Sequence, residues 1–355
     1  MKFIQKRRWR IIRDYCISWT LACLFLSIVR GTGTTQDSFL KFDLLSSLMI
    51  SFTIGPILGA VSGYTQIRLE EQVKRYLSLQ DLLLRRFGYT LLFLTVMVLI
   101  SWTVYRLYFE AAIGLLEFVF EPGSLAIIFY VLVVDIVLAV GYQVKLMLGA
   151  SNLGKLLWGK FYVPREEERI FMFLDLKSST KLAEQLGHIE FSKLIQDCFN
   201  DLGVVVENEA EIYKYVGDEA ILTWKLRAGI SNQNCLKAFF NFKQQLTAKE
   251  KYYQEKYGCR PIFKAGLHAG VITVTEVGKY KKGIAYHGDT INTAARIQGM
   301  CNDLQQELLI SQYVKDQLDG SGFEFKLFGS QILRGKKQGV PIYGVLENKA
   351  SSVDQ

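Results

Sequence analysis

The chain has 355 residues, long enough for two domains, and half of them are hydrophobic. A net charge of +8 invites a nucleic-acid reading, yet the excess clusters beside apolar runs, in Lys6-Arg7-Arg8 with Arg10 and Arg13 and in Arg85-Arg86. Juxtamembrane basic residues explain it, and no nucleic-acid partner is expected. The six cysteines form no CxxC and the three histidines are scattered, which excludes a zinc site and a disulfide framework and leaves reduced cytosolic thiols.

Four apolar segments, near 12–30, 42–64, 89–109 and 124–144, are each long enough to cross a hydrocarbon core of about 30 Å. A basic start precedes the first, as in a signal peptide. No small-residue cleavage site follows it and three more segments do, so an uncleaved anchor is expected. The N-terminal arm and the loop from Arg68 to Arg86 are strongly basic, the loop near 31–41 has one lysine, and Glu110–Gly123 has none. This bias predicts a multi-pass protein of the cell membrane, embedded in the lipid bilayer, with both termini and the soluble half in the cytoplasm. Gly55-Pro56 is expected to kink the second span. Asp135 falls near the middle of the fourth, where a carboxylate is costly. Two readings stay open for it: a neutral carboxyl bonded to Thr53 or Ser18, or a sensory group.

The predicted organisation is a transmembrane domain over 1–150, a coupling segment over 151–168, a soluble domain over 169–348 and a tail over 349–355. Pro164 and the cluster Glu166-Glu167-Glu168 mark the coupling segment, which has no flexible Ser or Gly tract. Ile170–Leu174 reads as a buried strand ending in Asp175, and Ser178 or Ser179 as the cap of a helix carrying Leu182 and Ala183. A second helical pattern covers about 189 to 208. Strands Glu211–Val216 and Ala220–Leu226 flank a tight turn at Gly217-Asp218. A long helix near 231–257, a strand pair near 262–276, a helix near 290–302 and short strands follow. The order β-α-β-β-α-β predicts an α+β, ferredoxin-like sheet with helices packed on one face.

Chemistry concentrates in a few places. Asp175 stands at the mouth of the first strand and Asp218 at the hairpin tip, so adjacent strands bring both carboxylates to one point. Two carboxylates beside substrate phosphates suit Mg²⁺, which keeps few protein ligands. Asn292 and Arg296, four apart, share a face of the helix that Gly288–Arg296 enters, and an arginine there can stabilise charge on a transferring phosphorus. Arg334-Gly335-Lys336-Lys337 is a basic turn suited to phosphate oxygens.

Three stretches, Phe173–Ala183, Tyr213–Trp224 and Tyr286–Gln298, together resemble the class III nucleotidyl (adenylate and guanylate) cyclase catalytic domain, over about Ile170 to Val345. That resemblance implies that Asp175 and Asp218, with the main-chain carbonyl of Leu176, hold two Mg²⁺ ions, Mn²⁺ being able to substitute. One ion would activate the ribose 3′-hydroxyl for in-line attack on the α-phosphorus, with pyrophosphate leaving, and the other would hold the triphosphate. Lys214 occupies a base-reading position, and a lysine can donate to adenine N1. ATP is therefore the expected substrate and 3′,5′-cyclic AMP the product. Ala285 falls at the second base-reading position and has no acceptor for the adenine amino group. Asn292 would position the ribose, Arg296 stabilise the pentavalent phosphorus and Lys336 bind the terminal phosphates. The family also implies a homodimer with composite sites, in which Asp175 and Asp218 face Lys214, Asn292, Arg296 and Lys336 of the second chain. Other readings are a guanylate cyclase and a catalytically silent membrane sensor that keeps the fold. A diguanylate cyclase, the third, wants two glycines and an aromatic at the turn, where Val216 and Ala220 stand.

Overall fold

A computed structural model describes residues 2–33, 44–72, 79–109, 114–148, 162–280, 282–319, 322–334 and 338–348. The chain divides into two compact units, Met1–Leu148 and Gly149–Gln355.

The first unit is helical: α1 (Lys2–Gly33), α2 (Leu44–Gln72), α3 (Leu79–Phe109), the short α4 (Leu115–Phe120) and α5 (Pro122–Leu148). Among the described residues three stretches are long and apolar enough to cross a membrane: Arg7–Val29, Ser47–Glu70 and Gly123–Met147. The segment expected at 89–109 lies within α3. Pro56 sits inside the continuous helix α2. Its neighbour Gly55, with Gly59 and Gly63, forms a stripe that lets α1 come close. A Cβ on Gly59 would stand 2.3 Å from the Cα of Cys16, and one on Gly55 2.6 Å from that of Thr20. Small residues of this kind give apolar helices their contact where water cannot drive them together.

Asp135 does not bond to Thr53 or Ser18, because both hydroxyls turn back onto carbonyls of their own helices, Ile50 and Asp14. Its partner is Arg86, which lies in α3 and is only 3% exposed rather than in a basic loop. Arg86 donates to both Asp135 oxygens, at 2.9 and 2.8 Å. The hydroxyls of Ser62 and Thr90 donate to the same carboxylate at 2.5 and 2.6 Å. The remaining Arg86 bonds run to Ser62, Tyr15 and Gln66. One polar layer thus ties α1, α2, α3 and α5, and Asp135 is held by a full cationic partner, so it is not a lone neutral acid.

The second unit is an α+β domain. Its strands are β1 (Arg165–Leu176), β2 (Glu211–Val216), β3 (Glu219–Lys225), β4 (Phe263–Val277), β5 (Gly283–His287), β6 (Leu308–Ser311), β7 (Phe323–Gln331) and β8 (Val340–Glu347). They form one sheet in the order β2-β3-β1-β4-β6-β8-β7, with β5 paired to β4. The pairs β2/β3, β1/β3 and β1/β4 are antiparallel. Between β1 and β2 run α6 (Ser179–Asp201), kinked at Gly187, and a 3-10 turn over Leu202–Asn208. Ser178 takes the N-cap place of α6, but its backbone is left-handed and its hydroxyl makes no capping bond. The expected long helix is broken into α7 (Leu226–Ile230), α8 (Asn234–Ala248) and α9 (Glu250–Tyr257). α10 (Asp289–Gly299) leads from β5, and α11 (Gln312–Gln317) follows β6.

Alternation along β1 sorts the interior into two layers. Ile170, Met172, Leu174 and Leu176 join the large core with Leu194, Phe239 and Phe242. Phe171 and Phe173 point the other way, onto Ile221, Ile272, Tyr286 and Ala294. Helices therefore cover both faces, against the expectation of one. The cause is visible in β4: Gly266 has no side chain, and a Cβ there would lie 2.2 Å from the backbone nitrogen of Gln298. That gap lets α10 rest its backbone on the second face.

Candidate active site

Side chains alternate across a strand, so Asp175 shares the second face with Phe171 and Phe173. Directly opposite it stand Glu219 on β3 and Lys264 on β4. Asp218 enters at the β2–β3 turn, where Gly217 supplies the left-handed backbone that a tight hairpin needs. Lys264 reaches Asp175 Oδ2 at 3.2 Å, and Gln298 Nε2 donates to the same oxygen at 3.1 Å.

The electrostatics follow from crowding. Burial pushes the Asp175 carboxyl above its ordinary value, the Lys264 hydrogen bond opposes this, and the nearby charge of Asp218 adds to the rise. Glu219 is pushed up to about 7, by burial first and then by the charges of Asp175 and Asp218. Carboxylates that resist ionising together favour a bound cation. Among the described residues no group of three or more His, Cys, Asp or Glu is arranged to hold a metal. Two carboxylates remain a fitting donor set for a hard divalent ion that takes its other ligands from water and phosphate. Leu176, whose carbonyl was expected to join them, is buried in the main core.

The other expected residues fall as follows. Lys214 is exposed on β2. A bulge between Ile212 and Lys214 shifts the register so that Lys214 faces Ile221, on the same side of the sheet as Asp175. Its ammonium lies 5.6 Å from the ring centre of Tyr213. Ala285 is half-buried on β5 opposite Thr275, while its neighbour Tyr286 packs on the second face. Asn292 is exposed on α10, and Arg296 is partly exposed, 4.0 Å from Asp289. Lys336 lies outside the described residues.

Sequence reading missed three neighbours. Lys264 gives no motif signal, and only strand register reveals it. Gln298 closes a quoted stretch, but its inward direction depends on Gly266. Arg169, 1% exposed, props the second face by bonding Glu211 at 2.5 Å, Glu167 at 3.0 Å and Thr223 at 3.1 Å beneath the Tyr286 ring.

The model of the adenylate and guanylate cyclase catalytic domain matches residues 161–346. The chain belongs to this family. Adenylate cyclase 2 of Rhizobium meliloti (strain 1021) is 34% identical over 189 residues, covering 53% of this chain and 52% of its own. An adenylate cyclase of Anabaena cylindrica is 24% identical over 185 residues, 49% of this chain and 36% of its own. The chain thus spans about half or less of these curated relatives. A bacterial light-regulated adenylyl cyclase structure shares the fold at a TM-score of 0.55 and 18% identity, covering 64% of this chain and 67% of its own. The matched residues lie within the second unit, and so does the carboxylate cluster.

Proposed function

We propose that this cyclase converts ATP to 3′,5′-cyclic AMP and pyrophosphate while anchored in a membrane. The observation that carries the reading is the convergence of Asp175 and Asp218 beside Lys264, with Lys214 on the same face of the sheet. Relatives named adenylate cyclase support the choice of ATP. In this reading Asp175, Asp218 and the Leu176 carbonyl hold two divalent ions, Mg²⁺ or Mn²⁺. Bound there, these ions supply the positive charge that acidifies the 3′-hydroxyl and steadies the triphosphate. Lys214 donates to adenine N1, Asn292 positions the ribose, Arg296 meets charge on the α-phosphorus, and Lys336 holds the terminal phosphates.

Helical geometry supports a site shared between two chains. Successive residues of a helix turn by about 100°, so Gln298 and Arg296, two apart, diverge by about 200°. Gln298 faces its own Asp175. Arg296 and Asn292 consequently look away from that carboxylate and are placed to serve a second copy.

The remaining assignments belong to the same proposal. The sheet order β2-β3-β1-β4 with antiparallel neighbours supports a ferredoxin-like core. Three apolar helices, with α3 as a fourth, support a multi-pass anchor over 1–150 with both termini cytoplasmic. The coupling segment, expected over 151–168, gives way to β1 at Arg165; its residues 151–161 lie outside the described residues, and the cyclase domain, expected over 169–348, takes in that strand from its start.

Chromatography of products after ATP or GTP is added to membranes carrying the full chain, with Mg²⁺ or Mn²⁺, tests the reading. Cyclic AMP as the main product is expected. Cyclic GTP-derived product alone would make the protein a guanylate cyclase, and no product under either metal would leave a silent cyclase-fold sensor.

A further inference from the structure

Gln298 is 7% exposed and sits on the last turn of α10. A buried glutamine must satisfy its amide, and here the Nε2 donates to Asp175 Oδ2 at 3.1 Å, across 123 positions of sequence. The carboxylate can only accept, so the amide orientation is fixed by its partner. The contact has no slack behind it: α10 rests on Gly266, where a Cβ would be 2.2 Å from the Gln298 nitrogen. Backbone closeness at Gly266 therefore sets the height of the amide above the carboxylate.

Lys264 bonds to the same Oδ2 at 3.2 Å. The two donors differ in kind. Lys264 carries its ammonium on four rotatable methylenes and can leave when another cation arrives. Gln298 is held by helix and sheet and stays. Both converge on one oxygen, which fixes the rotation of the carboxyl group.

We infer that Gln298 is a positioning residue of the metal site: its amide orients the Asp175 carboxylate for a divalent ion, and α10 links that orientation to the placement of Arg296 and Asn292. The inference rests on reading Asp175 as a metal ligand. Outer partners of this kind matter because a ligand free to rotate loses entropy on capture, and their removal typically weakens metal affinity by about 10- to 100-fold.

The test is a Mn²⁺ titration followed by electron paramagnetic resonance on the full chain in lipid nanodiscs. It compares wild type, Asp175→Asn, Gln298→Met and Gln298→Asn. Methionine keeps the volume and removes the donor, whereas asparagine keeps the amide and withdraws it by one methylene. Both Gln298 variants are expected to bind Mn²⁺ about 10-fold more weakly. Excess Mn²⁺ should restore turnover in both, with KM for ATP unchanged. Wild-type affinity in a folded Gln298 variant, while Asp175→Asn loses the ion, overturns the inference. Wild-type affinity in Asp175→Asn overturns instead the assignment of Asp175 as a ligand. A lowered melting temperature with intact Mn²⁺ affinity also overturns the inference, since it reduces Gln298 to a packing residue.

Discussion

Asp175, proposed as a metal ligand, works against the fold. Its pKa is raised, by burial first and with the charge of Asp218 adding to it. A group whose folded pKa lies above its unfolded value favours folding when protonated, and its ionised form costs stability as pH rises past the unfolded value, about 4. At neutral pH, Asp175→Asn should therefore raise the melting temperature of the metal-free protein while abolishing turnover. Calorimetry and a product assay check the two halves, and a fall in melting temperature would mean that the Lys264 bond outweighs the crowding. Base selection is a separate residue-scale question. If Lys214 reads the base as proposed, Lys214→Glu replaces a donor with an acceptor facing adenine N1, a mismatch of about 1–3 kcal/mol once the bound base covers it. The ratio of ATP to GTP turnover should fall roughly 5- to 150-fold, and an unchanged ratio would give Lys214 another task.

Elements decide which of these residues can meet, and here sequence and structure part company in instructive ways. The unbroken apolar run Ile170–Leu174 and the Gly217-Asp218 turn are local signals, so β1 and the β2–β3 hairpin are legible in the sequence, and with them the approach of Asp175 to Asp218. The second-face helix is not, because its cause is an absent side chain at Gly266, which no periodicity announces. Gly266→Ala should lift α10 and cost about 1–3 kcal/mol, as overpacking does. Thermal melting reads the cost, and Mn²⁺ binding should weaken in parallel because Gln298 moves with the helix. Arg86 escapes the sequence for a similar reason: two adjacent arginines look like a loop flank, and only the tertiary partner Asp135, 49 residues away, shows one of them turned inward. With Asp135 present, Arg86→Met leaves an unpaired buried carboxylate and should destabilise the helical unit by about 3–5 kcal/mol. Adding Asp135→Leu should recover most of that loss, since packed apolar side chains often replace such a pair at little cost. Thermal denaturation of the four forms in nanodiscs gives the cycle. Equal melting of all four forms would mean that the pair contributes nothing to the packing of α3 and α5.

At the scale of the molecule the decisive question is whether one chain is enough. The glutamine and the arginine of α10 look in opposite directions, and only the glutamine meets its own Asp175. If Arg296 serves a second copy, closed two-fold symmetry places each half-site on the same patch of both chains. Arg296→Ala alone should lower kcat by about 10²- to 10³-fold, as removal of one charge-stabilising donor does, and Asp218→Ala alone should abolish turnover. Each variant homodimer then has two defective sites. A mixed dimer concentrates both defects in one site and leaves the other with an intact Asp218 and an intact Arg296. Equal expression and random pairing make about half the dimers mixed, each with one working site of two, so activity should return to roughly a quarter of wild type. Co-expression in one membrane is required, because chains inserted separately exchange slowly if at all. Crosslinking verifies that mixed dimers form. If they form and cyclic AMP production stays at the level of the single variants, Arg296 acts within its own chain, and α10 must rotate by roughly half a turn from the orientation that places Gln298 on Asp175.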